Sequence, residues 1–183
     1  LMERQLDARG WALLRAAVEA KGIAVHLNAE TAAIKGRHRA EAVALKDGRE
    51  IAADLVVVAA GIRANADHAQ SAGLEVGRGI VVNDHLQTGK AGIYAIGECA
   101  EHRGICYGLV EPAYEQARVL ASHLCGRQAR YDGSVLATNL KVSGVSVFSA
   151  GDFMGAAGTE QIVLSDPGLG AYKKLVIADG KLV

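Results

Sequence analysis

The sequence predicts an α/β fold on three observations. Trp11, Leu14 and Val18 recur at helical spacing, as do Ala113, Ala117, Leu120 and Leu124. Two short, near-continuous apolar runs, "DLVVVAAGI" at 54–62 and the stretch at 92–96, have the pattern of strands buried on both faces of a parallel sheet. The third stretch, 131–183, alternates short apolar runs with Gly, Asp and Pro turns and has no helix of ordinary length, so a small β-rich region closes the chain.

Composition narrows the function classes. Of 183 residues, half are hydrophobic and 22% are charged, which is enough to build a packed core. Twenty basic residues balance twenty acidic ones without a cationic block, so nucleic acid and anionic membrane lack electrostatic support as partners. No apolar run approaches the roughly 20 residues of a spanning helix, and the opening residues are not those of a secretory signal. Cys99, Cys106 and Cys125 form an odd set with no CxxC spacing, which favours reduced thiols in a cytoplasmic protein over disulfides or zinc.

In chain order, "LMERQLDARGWALLRAAVEAKG" begins without an initiator Met and predicts a helix that stops at Gly22. Glu3, Arg4 and Asp7 either edge a nucleotide pocket or simply begin that helix. A strand is expected over "IAVHLNAETAAI", then a hairpin over "AEAVALKDGREIAA" turning at Asp47-Gly48. Next come the 54–62 strand, a short helix near 66–71, a strand at 79–82 and the 92–96 strand. The helix "EPAYEQARVLASHLCG" follows, with Pro112 in its first turn and Gly126 at its stop. Turns are expected at Ser143-Gly144, Pro167-Gly168 and Asp179-Gly180. Lys173 and Lys174 alternate on a strand, and a surface position is expected for them.

The segment "TGKAGIYAIGE", 88–98, carries the most chemistry. A parallel strand that ends in Gly lets backbone approach a ligand at the carboxyl edge of a sheet. An acid directly after it can accept hydrogen bonds from a polyhydroxyl chain, and the next helix aims N–H groups at an electron-rich ligand. The competing reading is a strand end with a solvated acid. Cys99, His102 and Cys106 share one loop, but their spacing is no recognised four-ligand metal set. Arg63, after Gly61, either touches a cofactor phosphate or is a solvated loop charge.

Thr88, Ala95, Gly97 and the acid at 98 resemble the second FAD-binding motif of the two-dinucleotide-domain flavoprotein reductases, T-x6-A-x-G-D, with Glu98 in place of the usual Asp. "VVVAAGIRAN" resembles the strand by which that family's chain returns from the NAD domain to the FAD domain, with Ala64 where Pro is common. "YAIGECAEHRGICYGLVEPAYEQARVLASHL", "RGIVVND", "LKVSGVSVFSAGD" and "YKKLVI" narrow the resemblance to the large subunits of NAD(P)H-dependent, assimilatory-type nitrite reductases.

The resemblance implies a partial two-dinucleotide-binding-domain fold. Residues 1–62 would be the C-terminal part of an NAD(P)-binding domain, 63–130 that of an FAD-binding domain, and 131–183 a small β-rich domain. Thr88, Gly97, Glu98, Glu111, Pro112 and Gly61 become candidate cofactor-binding residues, with Glu98 on the ribityl chain and Glu111 and Pro112 near the flavin's pyrimidine edge. Thr88 either contacts the flavin or caps the turn before its strand. The alternative for Glu111 and Pro112 is that they are ordinary helix-start residues. The protein would move hydride from NAD(P)H to FAD and electrons onward to reduce nitrite to ammonia. Rivals are an NAD(P)H flavin reductase serving rubredoxin or ferredoxin, and a cofactor-free assembly module. No GxGxxG follows a strand in these 183 residues, so both dinucleotide fingerprints are expected upstream, and iron–sulfur and sirohaem sites downstream. The chain alone is therefore expected to carry no bound cofactor and to be inactive. Its incomplete sheets lead to the expectation of a homo-oligomer.

Overall fold

The structure, a computed structural model, describes residue 2 and residues 5–142, 144–166 and 168–183. The roles suggested for Glu3 and Arg4 lie outside the described residues, as do Ser143 and Pro167 of the two expected turns. The chain forms two compact units, residues 1–58 with 136–183, and residues 59–135.

The first unit opens with α1, Ala8–Glu19. Asp7 is its N-cap, accepting a hydrogen bond from the Gly10 backbone N–H at 2.9 Å. Leu14 and Val18 are buried as their spacing predicts, whereas Trp11, expected in the core, is half-buried. An antiparallel sheet follows, with strands β1 (Thr31–Lys35), β2 (Ala42–Leu45) and β3 (Glu50–Ala52) in that order. Its β2–β3 hairpin turns at Asp47-Gly48, where Gly48 takes φ +90° and Asp47 accepts from the Arg49 backbone N–H.

Two strand expectations need correction here. Of "IAVHLNAETAAI" only the end, from Thr31, is strand; residues 23–30 form no strand, with only the Glu30 carbonyl accepting a backbone N–H, from Lys46, among the described residues, and Ile23 is exposed. The apolar run at 54–62 joins no ladder either. Leu55, Val57 and Val58 are 80%, 79% and 76% exposed. A run apolar on both faces suits a central strand, but a strand needs neighbours to bond its N–H and C=O groups. Those neighbours are not among the described residues.

The rest of the first unit is β. Strands β7 (Ala137–Val142) and β8 (Val145–Ala150) form one antiparallel pair. Strands β9 (Glu160–Asp166), β10 (Ala171–Ala178) and β11 (Lys181–Leu182) form a three-stranded antiparallel sheet with β10 in the middle. The expected Asp179-Gly180 turn joins β10 to β11. Lys173 is exposed as expected, but Lys174 is not: its ammonium donates to Asp7 at 3.2 Å and its side chain is 12% exposed. The Tyr172 hydroxyl donates to the same Asp7 carboxylate at 2.6 Å. The N-cap of α1 is thus tied to β10, 165 residues away in sequence.

In the second unit, α2 (Asp67–Ser71) and strand β4 (Ile80–Val82) lie where the sequence places them. Strand β4 pairs in parallel with β5 (Ala100–His102), which turns back antiparallel into β6 (Ile105–Cys106). The 92–96 segment, expected as a full strand, makes one isolated bridge, Tyr94 to Gln87. Ala95 is buried while Ile93 is 41% exposed. Helix α3 spans Val110–Leu124. Its buried face is carried by Pro112 and Gln116, with Val119 and Leu120 packed on the core, while Leu124, assigned to that face, is 61% exposed. The core of this unit gathers Val82, Leu86, Ala95, Ala100, Tyr107 and Tyr131.

Candidate functional site

The residues singled out at 97, 98, 111 and 112 lie on the turn before β5 and at the start of α3. Residues Gly97–Cys99 form one 3-10 turn that packs against α3. Gly97 sits at φ +80°, a left-handed conformation in which a side chain is strained. A Cβ there would meet the Ala113 methyl at 3.8 Å, ordinary contact, so conformation and not crowding calls for glycine. The Gly97 N–H donates to Gln116 Oε1 at 2.7 Å, and its carbonyl accepts from the Ala100 N–H that closes the turn.

Glu98 follows directly and is exposed. Its carboxylate joins none of the ion pairs of this unit, which among the described residues gather on Asp84 and Asp132. Leu109 is the N-cap of α3 and offers no side-chain hydrogen bond, so among the described residues no side chain caps the first N–H groups of a 15-residue helix. Glu111 is exposed in the first turn, where a negative charge suits the helix dipole, and Pro112 is buried and brings no N–H to the end.

Thr88 is buried, and its hydroxyl lies 3.1 Å from the Ile93 carbonyl, 3.2 Å from that of Lys90, and accepts from the Lys90 N–H. All its bonding is spent inside the turn that leads to residues 92–96. Gly61 lies at φ +97° in an exposed segment without regular structure, and Arg63 beside it is exposed. The structure therefore brings Gly97, Glu98, Glu111 and Pro112 together, while Thr88 acts on the turn before them.

These residues fit a flavin in kind. A pinned turn without a Cβ, an exposed carboxylate that can accept from hydroxyls, and an uncapped helix start are the donor and acceptor set a ribityl chain and an electron-rich ring edge require. No group of three metal-ligating side chains occurs among the described residues. His102 is turned away from metal chemistry: its Nε2 lies 2.9 Å from Asp84 Oδ1, and Cys99 Sγ donates to the Ile96 carbonyl.

Sequence reasoning missed two groups. Gln116 is fully buried, and a polar residue four positions after Pro112 gives no apolar signal. Asp84, at the end of β4, takes hydrogen bonds from Arg103 Nε at 3.0 Å, His102 Nε2 at 2.9 Å and Arg130 Nη2 at 2.5 Å. The Arg103 guanidinium first, then the His102 ring, holds its carboxyl far below the usual carboxylate range. With Asp84 ionised, His102 Nε2 must carry the hydrogen, which leaves buried Nδ1 as the ring atom without a partner. The Asn83-Asp84-His85 turn chemistry was the available signal for this cluster.

The backbone superposes on reductases of known structure. It matches the ferredoxin reductase for the CYP199A2 system of Rhodopseudomonas palustris with TM-score 0.86 and 26% identity, over 100% of this chain and 46% of that one. It matches NADH:rubredoxin oxidoreductase from Clostridium acetobutylicum with TM-score 0.66 and 26% identity, over 99% and 44%. The fold is thus α/β, a partial two-dinucleotide-binding-domain reductase fold followed by a small β-rich region.

The family described as pyridine nucleotide-disulphide oxidoreductase matches residues 1–129, and the rubredoxin NAD+ reductase C-terminal domain matches residues 137–183. The chain belongs to the pyridine nucleotide-disulphide oxidoreductase family. It is 52% identical over its whole length to a nitrite reductase [NAD(P)H] of Bacillus subtilis (strain 168), and 36% identical over 98% of it to a nitrite reductase (NADH) large subunit of Escherichia coli (strain K12). It spans 23% and 22% of those relatives' lengths. Family and fold together imply FAD and NAD(P)H as cofactors.

Proposed function

We propose that this chain is part of the electron-input module of a nitrite reductase large subunit, conducting electrons from NAD(P)H through FAD toward the reduction of nitrite to ammonia. The observation that supports the flavin half is the exposed Glu98 carboxylate on a pinned glycine turn at the uncapped start of α3. The choice of nitrite rests on 52% identity across the chain. Bound FAD supplies the hydride acceptor and the step from two-electron to one-electron chemistry. This chain's residues only bind and orient it: Gly97 gives backbone access, Glu98 holds hydroxyls, and the first turn of α3 favours negative charge at the ring edge. No side chain here is assigned as general acid or base. Iron–sulfur and sirohaem groups belong to other parts of such a subunit.

The domain limits we propose are 1–62, 63–130 and 131–183. Among the described residues no helix is long and apolar enough to cross a membrane, and we take the setting to be cytoplasmic, with no nucleic-acid partner. We also propose that the chain associates with itself. Leu55, Val57 and Val58, and Ile62 after them, are exposed in stretches without regular structure, and exposed apolar side chains are a driver of association. Light scattering of the chain checks this; a monodisperse mass of one chain, 19.1 kDa, rejects it.

A second reading, a reductase serving rubredoxin or ferredoxin, is favoured by the superposition on reductases of those carriers. One experiment separates the readings. The intact protein that carries this sequence is purified, its flavin is quantified, and NAD(P)H oxidation is followed with nitrite or with rubredoxin or ferredoxin as acceptor. Stoichiometric FAD and nitrite-dependent turnover are expected. Turnover with the small carrier alone favours the second reading, and a protein without flavin removes both in favour of an assembly module. The 183-residue chain by itself, with no Gly-rich pyrophosphate fingerprint in its sequence, is expected to be colourless and inactive.

A further inference from the structure

We infer that Gln116 is the positioning residue of this site: by accepting the Gly97 N–H it holds the Gly97–Cys99 turn in the shape that presents Glu98 to the flavin. The inference rests on the proposed flavin site. The geometry is specific. Gln116 has no exposed surface, and its Oε1 lies 2.7 Å from the Gly97 nitrogen. On the other side of the same residue, the Gly97 carbonyl accepts from Ala100. Both peptide groups of the one left-handed residue in the turn are therefore fixed, and the residue left projecting is Glu98.

The remaining half of the amide supports a directing role. Gln116 Nε2 is buried with no well-formed hydrogen bond, its polar contact being the Tyr131 hydroxyl, and an incompletely satisfied amide is a condition that buried side chains ordinarily avoid. A Met or Leu at 116 would fill comparable space on this buried face of α3 with no poorly satisfied donor. What such a residue would lack is the acceptor for Gly97. Position 116 thus trades packing for control of one backbone N–H. That N–H belongs to the turn next to the uncapped helix start, on the same helix that carries Gln116. One helix therefore supplies the open N-terminus and, nearly two turns further on, the group that sets the turn facing it.

The test uses the intact protein and two readouts, hydrogen exchange at the Gly97 amide without flavin and the dissociation constant for FAD. Gln116→Met removes the acceptor while conserving volume; Gln116→Glu keeps an acceptor at the same place, burial favouring its neutral acid form. In Gln116→Met the Gly97 amide is expected to lose its protection, and FAD binding to weaken about tenfold, the factor one lost hydrogen bond commonly makes. Gln116→Glu is expected to restore both. If Gln116→Met does not fold, Gln116→Asn withdraws the acceptor by one methylene and carries the same comparison. Unchanged protection in the variant overturns the inference, as does lost protection with unchanged FAD affinity. Failure of the underlying site appears differently, as a wild-type protein that binds no FAD.

Discussion

The two long helices begin in opposite ways. The Gly10 N–H at the start of α1 meets Asp7, whose carboxylate also takes the Tyr172 hydroxyl and the Lys174 ammonium, so the acceptor that closes that helix start is held by three different donors. The first N–H groups of α3 follow Leu109, which caps nothing, and face a glycine turn with an exposed acid. Both helices have the same electrostatic requirement at that end, a negative or electron-rich group. In α1 the chain satisfies it internally, and the helix serves as a structural anchor. In α3 the requirement is left open beside groups suited to hydroxyls, and an open helix start of that kind suits a ligand.

The contrast breaks most visibly at Asp7. Asp7→Ala removes a cap, leaves a half-buried phenol without its acceptor and leaves the Lys174 ammonium only the Met154 carbonyl, so a loss of about 3 kcal/mol is expected in denaturant unfolding of the chain. Flavin affinity of the intact protein should be unchanged. The same knot sets a pH window. Although burial acts to raise it, the bonds from Tyr172, the Gly10 N–H and Lys174 hold Asp7 below its ordinary value. Its contribution is thus present above about pH 4 and lost as pH falls further. Burial, with Asp7 next, pushes the Tyr172 phenol up to about 12. The folded state therefore keeps a proton that the unfolded chain releases near pH 10, and this contribution is full below about pH 10 and lost as pH rises toward 12. Ultraviolet titration of Tyr172→Phe should lack the highest-pH tyrosine step; an unchanged curve contradicts the knot.

At the open helix the expectations reverse. Glu98→Ala should weaken FAD binding by about tenfold or more, as lost charge-assisted hydrogen bonds do, with little change in melting temperature because the side chain is exposed. Unchanged flavin content would leave Glu98 a solvated acid. The smallest effect is the most discriminating. Leu109→Ser supplies α3 with a side-chain cap, and stability without flavin should rise by about 1 kcal/mol. FAD affinity should fall slightly as the helix start is occupied. A stabilised variant that binds FAD more tightly would show that the open start has no part in binding.

What the sequence revealed was the chemistry that acts over a few residues. Asp47-Gly48 names its own hairpin, Asp7 and Gly22 bracket α1, and Pro112 marks the first turn of α3, each through its own backbone demands. The 54–62 strand was misjudged because an apolar run says what a segment prefers and not whether partners stand beside it. The buried face of α3 was shifted because its centre is a glutamine, and hydrophobic spacing passes over a buried amide. At the site, the glycine and acid at 97 and 98 were legible from the motif, while the hydrogen bond that shapes them spans 19 residues and leaves no local trace. The pairing of Asp7 with Lys174 spans 167 residues and was equally hidden.

The Asp84 cluster gives the second unit a property that no pairwise contact has. One carboxylate serves His102, Arg103 and Arg130, and the Asp84 carbonyl also accepts from the Tyr131 N–H, at 2.8 Å. Losing either arginine leaves the carboxylate with two other donors, whereas losing Asp84 strips all three at once. Substitutions at the two arginines are therefore expected to combine unequally, the second costing more than the first. The junction behaves as a shared buffer: it tolerates single changes at its rim and has one point of common failure, at the end of β4.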